Sequence, residues 1–349
     1  MCRAGSYLSL VVIGVVLVAA CSEPGPPVSA GPQPELVWPA PPLTPRIRFV
    51  RTISRPEDVG IKAGWLESVV SFIKGAPERF ISSPYGIRKD ANDRIYVVDT
   101  LHKAVLVLDP AASGHYWFPE DPLEGFENPI DIALGSDDRV YVSDSQANVV
   151  HVFGKRGKKY LGHFGSDVLQ RPTGLALEKT TGNLLVVDTL ASQIVVFDTA
   201  TLKAKKFVGR EGTARDAFHY PTNVAIAPDG RIYVTDSLNF RVQVLGPDFT
   251  FLSAFGQVGD SPGDFARPKG VAVDSEGHVY VVDALFDNVQ IFDRQGRLLL
   301  AFGSPGAAPG QFWLPNEILI DAEDRIYVSD AYNQRIQVFQ YLREAGGEQ

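Results

Sequence analysis

Residues 267–303 read RPKGVAVDSEGHVYVVDALFDNVQIFDRQGRLLLAFG, and most of the chain is an imperfect copy of this stretch. GVAV, VYVV, NVQIF and LLLAF are short apolar runs rich in β-branched residues. Turn-forming residues separate them at Asp274 to Gly277, Asp283 to Asp287 and Arg294 to Gly296. This alternation of strand-length runs and turns predicts four strands in an antiparallel meander.

The second element recurs six times, ending at Asp99, Asp144, Asp188, Asp236, Asp283 and Asp330. A second marker keeps the same beat, because Pro84, Pro129, Pro172, Pro221, Pro268 and Pro315 each precede a first strand. Two independent markers count six copies of a four-stranded unit. A unit of this length suits a propeller blade better than a solenoid coil, so the expected fold is all-β, a six-bladed β-propeller. A closed ring of repeats can be a single domain at 349 residues, where length alone would suggest two or three.

Composition is consistent with this. Hydrophobic residues make up 45% of the chain, enough for a packed core, and the net charge of -8 argues against a phosphate-binding surface. Nucleic acid is therefore not the expected partner.

The N-terminus reads as an export signal. Arg3 precedes an apolar run from Leu8 to Val18, too short to span a bilayer comfortably, and residues 1–20 are assigned as a signal peptide. Val18-Ala19-Ala20-Cys21 resembles the bacterial lipobox, which implies lipid on Cys21 and attachment to the cell envelope. Cys2 leaves with the signal, so Cys21 is the one thiol of the processed chain. In a Gram-negative cell, Ser22 after that cysteine would point to the outer rather than the inner membrane. Residues 21–45 are Pro-rich and nearly uncharged, and read as a semi-rigid tether reaching on the order of 70 Å.

Both ends of the repeat region are irregular. The sixth copy lacks a fourth strand, whereas Arg46 to Ile53 alternates charged and apolar residues without a partner of its own. A strand over 46–53 completing the last blade would close the ring and remove two open edges. The propeller is thus assigned to 46–341, with 342–349 as a tail. Within the insertion 54–83, Lys62 to Lys74 sets Trp65, Leu66, Val69, Val70 and Ile73 on one helical face, predicting a short amphipathic helix before blade 1.

Two copies carry a sharper signature: DSLNFRVQV from Asp236 and DAYNQRIQV from Asp330. The pattern D-x-x-N-x-R-[IV]-Q-V resembles the NHL repeat, and the resemblance extends over roughly residues 84 to 340. It implies the propeller fold; it does not imply one activity, since the fold hosts lyases, lactonases, receptors and scaffolds. The six repeated aspartates are read as structural, because each stands at a strand end where a carboxylate can accept backbone N–H groups.

Positions where the copies disagree are more informative about function. Two residues after each repeat proline stand Gly86, Asp131, Gly174, Asn223, Gly270 and Glu317. First strands surround a propeller's central channel, so Asp131, Asn223 and Glu317 are expected to converge from alternate blades near its axis. Two carboxylates and an amide oxygen are hard ligands suited to Ca2+ or Mg2+. The arrangement is similar in position to the metal site of the senescence-marker and gluconolactonase propellers. The NHL-type peptidylglycine amidating lyases instead hold zinc with several histidines, and this chain offers no such set. His151 occupies the slot of Gln243, Gln290 and Gln337, His278 lies in a turn on the opposite face, and His115 and His163 fall in outer strands. Only His102 and His219 are placed to reach the face that carries the loops.

Two functions remain open. One is a lipid-anchored, monomeric binding scaffold that takes a protein or peptide on the top face, the face with the loops after the second strands. The other is a divalent-metal-dependent hydrolase or lactonase, or a lyase, at the channel mouth. The anchoring assignment has a direct test: Cys21→Ala is expected to leave unprocessed or soluble protein, whereas detergent-phase partitioning unchanged from wild type would refute lipid attachment.

Overall fold

The computed structural model describes residues 35–62, 80–120, 125–178 and 180–343. The signal peptide, Cys21, the start of the tether and nearly all of the expected helix lie outside these residues. Leu36 to Gln349 forms one unit, distinct from Met1–Glu35.

Six antiparallel sheets follow one another around a ring. Blade 5 shows the plan, with strands Pro268–Val273, Val279–Asp283, Asn288–Phe292 and Leu298–Phe302. Second strands are buried at every position in each blade except at the starting residues Asn183 and Arg325 of blades 3 and 6, so they read as continuous apolar runs. Fourth strands mix exposed and half-buried residues, as at Lys203–Val208 and Leu298–Phe302, because one face meets water.

The core lies between blades, not within them. One cluster joins Tyr280, Val282 and Ile291 of blade 5 to Ile318, Ile326 and Val328 of blade 6. Another joins Tyr327, Ile336 and Val338 of blade 6 to Ile87, Val97 and Leu106 of blade 1, with Ile53, Val59 and Ile81 added. Each sheet is hydrophobic on both faces, so a lone blade could not bury its surface and neighbours are mutually required.

The outer strand of blade 6 comes from the other end of the chain. Ile47–Ile53 pairs antiparallel with Arg335–Tyr341, from Ile47 opposite Tyr341 to Ile53 opposite Ile336, with a bulge after Phe49. Residues 36–45 depart from the tether expected for them. Val37–Trp38 adds a short fifth strand against Arg48 and Ile47. The Trp38 ring packs on Phe302 and Phe339, with centroids 5.8 Å away in each case. Proline content hid this segment, because one aromatic side chain over the seam between blades 5 and 6 outweighs a composition that resists regular structure. Gly310 stays small for the same reason, since a Cβ there would stand 2.6 Å from the Trp38 ring.

Trp38→Ala is expected to lower unfolding stability in urea by about 2 kcal/mol, the scale of a large, half-buried apolar side chain. Wild-type stability in that variant would mean that the docked segment contributes nothing.

Candidate functional site

Each repeat aspartate is fully buried and closes a loop. Asp99 accepts from the backbone N–H of Ser82 (2.6 Å) and Ser83 (3.1 Å) in the incoming connection, and of Leu101 and His102 in the outgoing one. Asp144 and Asp283 repeat this four-point pattern. Burial alone would raise the Asp144 carboxyl; the His151 ring and the N–H groups of Ala147, Asn128 and Glu127 outweigh it and hold the pKa down at about 2. In blades 4 and 6 side chains replace the outgoing N–H donors. Asn239, Arg241 and Gln243 all donate to Asp236, and Asn333, Arg335 and Gln337 to Asp330. The D-x-x-N-x-R-x-Q signature is thus one hydrogen-bonded unit that also pins the preceding loop, with Arg241 donating to the carbonyls of Thr213, Ala214 and Ala217.

Every first strand bulges just after its proline, with register shifts between Pro84 and Ile87, Pro129 and Ile132, and at the corresponding places in the other four blades. A bulge frees residues from the ladder and re-aims their side chains. It is there that the axial residues sit. A Cβ on Gly86 would lie 2.7 Å from the Cα of Asp131, one on Gly174 2.7 Å from that of Asn223, and one on Gly270 2.9 Å from that of Glu317. Glycine in odd blades therefore lets the backbone of the next blade approach closely, and the channel narrows at this layer.

Asp131, Asn223 and Glu317 do converge, but all three are buried, not placed at an open mouth. Asn223 Nδ2 donates to Glu317 Oε2 at 2.6 Å. A fourth residue joins them. Arg88 of blade 1 lies 3.0 Å from Asp131 Oδ2 and 3.9 Å from Glu317 Oε1, and donates to the Leu175 carbonyl at 2.9 Å. Asp131 also accepts from the backbone N–H of Ile132 (2.7 Å) and Leu175 (2.8 Å). Burial raises both carboxyl pKa values, with Arg88 opposing it. For Glu317 repulsion from Asp131 adds to burial, and its pKa stands well above the usual 4.5. Asp131 has the shorter guanidinium contact and two N–H donors, so Glu317 is the member whose carboxyl is pushed up further.

This donor set does not fit a divalent cation. The guanidinium already supplies positive charge between the carboxyls, and Asn223 turns a donor, not an oxygen, toward Glu317. Arg88 was legible in principle. Four residues after the repeat proline the other blades carry Ala133, Ala176, Ala225, Ala272 and Leu319, so an arginine there is the one exception.

Among the described residues the histidines form no set of three; His151 and His163 alone come near each other, ring centroids 6.0 Å apart with the Tyr160 hydroxyl 3.2 Å from each. His151 contacts Asp144 at 3.6 Å and Tyr160 at 3.2 Å, His102 lies 3.2 Å from Asp99, and His278 lies 2.8 Å from Asp274 on the opposite face. Among the described residues no group of three or more His, Cys, Asp or Glu is arranged to hold a metal.

The top face has a second regularity. Two residues after the repeat aspartates stand Leu101, Leu190, Leu238, Leu285 and Tyr332, each 44% to 69% exposed, with Gln146 the only polar member. Trp313, 54% exposed, stacks beside Tyr332 with ring centroids 5.6 Å apart.

Residues 218–245 match the NHL repeat and residues 274–343 match a family described as 6-bladed beta-propeller. The E3 ubiquitin-protein ligase NHLRC1 of Homo sapiens is 35% identical over 94 residues, 27% of this chain and 22% of that protein. The chain thus spans about a fifth of that relative's length. Among solved structures, virginiamycin B lyase from Staphylococcus aureus is similar with a TM-score of 0.56 at 13% identity, covering 75% of this chain and 96% of the lyase. The calcium-binding protein regucalcin from Agrobacterium tumefaciens is similar with a TM-score of 0.57 at 15% identity, covering 76% and 92%. At these identities the two structures share the fold.

The buried cluster has a signed pH dependence. A carboxyl whose folded pKa is raised contributes stability that is full below its unfolded value and is lost as pH rises through the folded one. Glu317→Gln, which removes that titration, is expected to match wild type near pH 4.5 and to exceed it in melting temperature by a margin that grows toward neutral pH. Arg88→Met leaves two buried carboxyls uncompensated and is expected to cost about 3–5 kcal/mol at neutral pH. A Glu317→Gln variant that melts below wild type at neutral pH would show that the charged carboxylate is required.

Proposed function

We propose that this six-bladed β-propeller with NHL-type repeats is a binding scaffold, held to the bacterial cell envelope by lipid on Cys21, that docks a protein or peptide on its top face. The observation that carries the reading is the apolar residue repeated two places after the aspartate in five of six blades. Core packing cannot explain it, since these side chains face water. Scattered exposed leucines need no explanation, but a ring of them on the one face where loops gather is the pattern of an interaction surface. The backbone N–H groups of Leu101 and Leu285 donate to the buried carboxylates of Asp99 and Asp283, so the ring sits on a rigid frame.

The likeness to a ubiquitin-protein ligase is consistent with protein recognition, whereas the calcium of regucalcin does not carry over. A cation in the channel of this chain would have to displace Arg88 from Asp131. The carboxyls a metal-dependent hydrolase would use are committed to that guanidinium and to Asn223. Binding is therefore favoured over catalysis.

Photo-crosslinking amino acids at Leu190 and Leu285 are expected to capture a specific partner in intact cells. The same group at Leu161 and Leu299, comparably exposed on outer strands, is not expected to do so. Leu285→Ser and Tyr332→Ser should weaken that capture while changing stability by no more than about 0.5 kcal/mol. Equal adducts from both sets, or adducts only from the outer strands, would place the interaction elsewhere.

A further inference from the structure

At the channel mouth, beside the apolar ring, the residues flanking the repeat prolines have a different chemistry. Arg171 and Arg267 each stand immediately before a repeat proline, and Tyr85 and Lys269 immediately after one. All four belong to blades 1, 3 and 5, the blades whose next axial residue is glycine. Arg171 and Arg267 both act electrostatically on Lys269 and on the Tyr85 hydroxyl, and Glu317 and Asp131 act on Tyr85 as well, so the group lies near the axial carboxyls. Among the described residues no side-chain hydrogen bond or ion pair engages Arg171, Arg267 or Lys269. Beneath them the carboxyls of Asp131 and Glu317 are already bound to Arg88 and Asn223. The channel mouth thus gathers three cations with no free counter-charge among the described residues, in a chain of net charge -8.

Burial first, and then Arg267 and Arg171, push the Lys269 pKa down to about 8. Like charges held together in a partly desolvated mouth oppose one another, and a bound anion relieves all three. A concavity of about 330 Å³ on the opposite face is also rich in Lys and Arg. Its Arg94 is bound to Asp90 at 2.7 Å and its Arg156 to Asp138 at 3.2 Å.

We propose that the channel mouth is the specificity pocket of the docking surface: Lys269, Arg171 and Arg267 take the carboxylate of an acidic side chain from a polypeptide whose flanking apolar residues lie on the leucine ring. The inference rests on the docking reading above. A small anion would fill the mouth and leave the surrounding ring in water. A nucleic acid would need a track of free cations across the rim, where Arg210, Arg241 and Arg335 are instead paired with Asp216, Asp236 and Asp330. A polypeptide with one acid among apolar side chains matches both parts.

The probe is a random dodecapeptide library displayed on phage and selected against the purified protein. Enriched peptides are expected to carry Asp or Glu between apolar residues. By fluorescence anisotropy, the best peptide should bind about tenfold or more weakly when its acid is replaced by the amide, and likewise to Lys269→Met or Arg171→Gln. Both variants suit the fold, since Arg171 is exposed and burial opposes the charge of Lys269. Peptides without an acid, affinity unchanged in Lys269→Met, tighter binding of single-stranded oligouridylate, binding of inorganic phosphate alone, or no enrichment would each overturn the proposal. Peptides weakened by Leu285→Ser but not by Lys269→Met would remove the carboxylate assignment and leave the docking face standing. Peptides indifferent to both substitutions would remove the docking face as well.

Discussion

A buried carboxylate that must be satisfied holds each blade together at its top. The aspartate at the end of every second strand is desolvated, and only a dense set of donors can offset that. Donors come from both the loop entering the blade and the loop leaving it, so one side chain fixes the spacing of two connections. In Asp99, Asp144 and Asp283 those donors are backbone N–H groups on both sides. In Asp236 and Asp330 the Asn, Arg and Gln of the repeat signature take over the outgoing side. The same connections are the ones that present Leu101, Leu285 and Arg267 to solvent, so the requirement to neutralise a buried charge also shapes the face available for binding.

The ring was legible because the aspartate and the proline keep one beat, and a residue required by every blade must appear in every blade. Asp131, Asn223 and Glu317 were legible for the opposite reason, as departures from that beat. Their chemistry was harder to read. Carboxylates and an amide suggest a metal until Arg88 is seen between them, and Arg88 declares itself only when the comparison moves two residues along the same strand, to a position otherwise filled by Ala or Leu. The docking of Trp38 depends on a seam between blades 5 and 6 that does not exist until the ring has closed, so no local pattern could reveal it. The apolar ring was written in the sequence at a fixed offset from the aspartate. Exposure, which turns an ordinary leucine into a surface feature, is a property of the fold.

Odd and even blades divide the work around the axis. Even blades supply the side chains that close the channel, Asp131, Asn223 and Glu317, and blade 1 adds the guanidinium that balances them. Odd blades supply glycine at that level and, one layer higher, Tyr85, Lys269 and the two arginines. The floor is internally neutralised and the mouth above it is not, so a positive channel mouth coexists with a negative overall charge.

That division carries a parity rule. Each odd-blade glycine makes room for the backbone of the following even blade. An axis built from such glycine and side-chain couples can gain or lose repeats only two at a time. A single added or deleted blade would bring two glycines together and leave a void, or bring two large polar side chains together and leave a clash. The heritable module of this propeller is therefore the adjacent pair, and a lineage that changed its blade number by one would have to rewrite the channel lining in the same step.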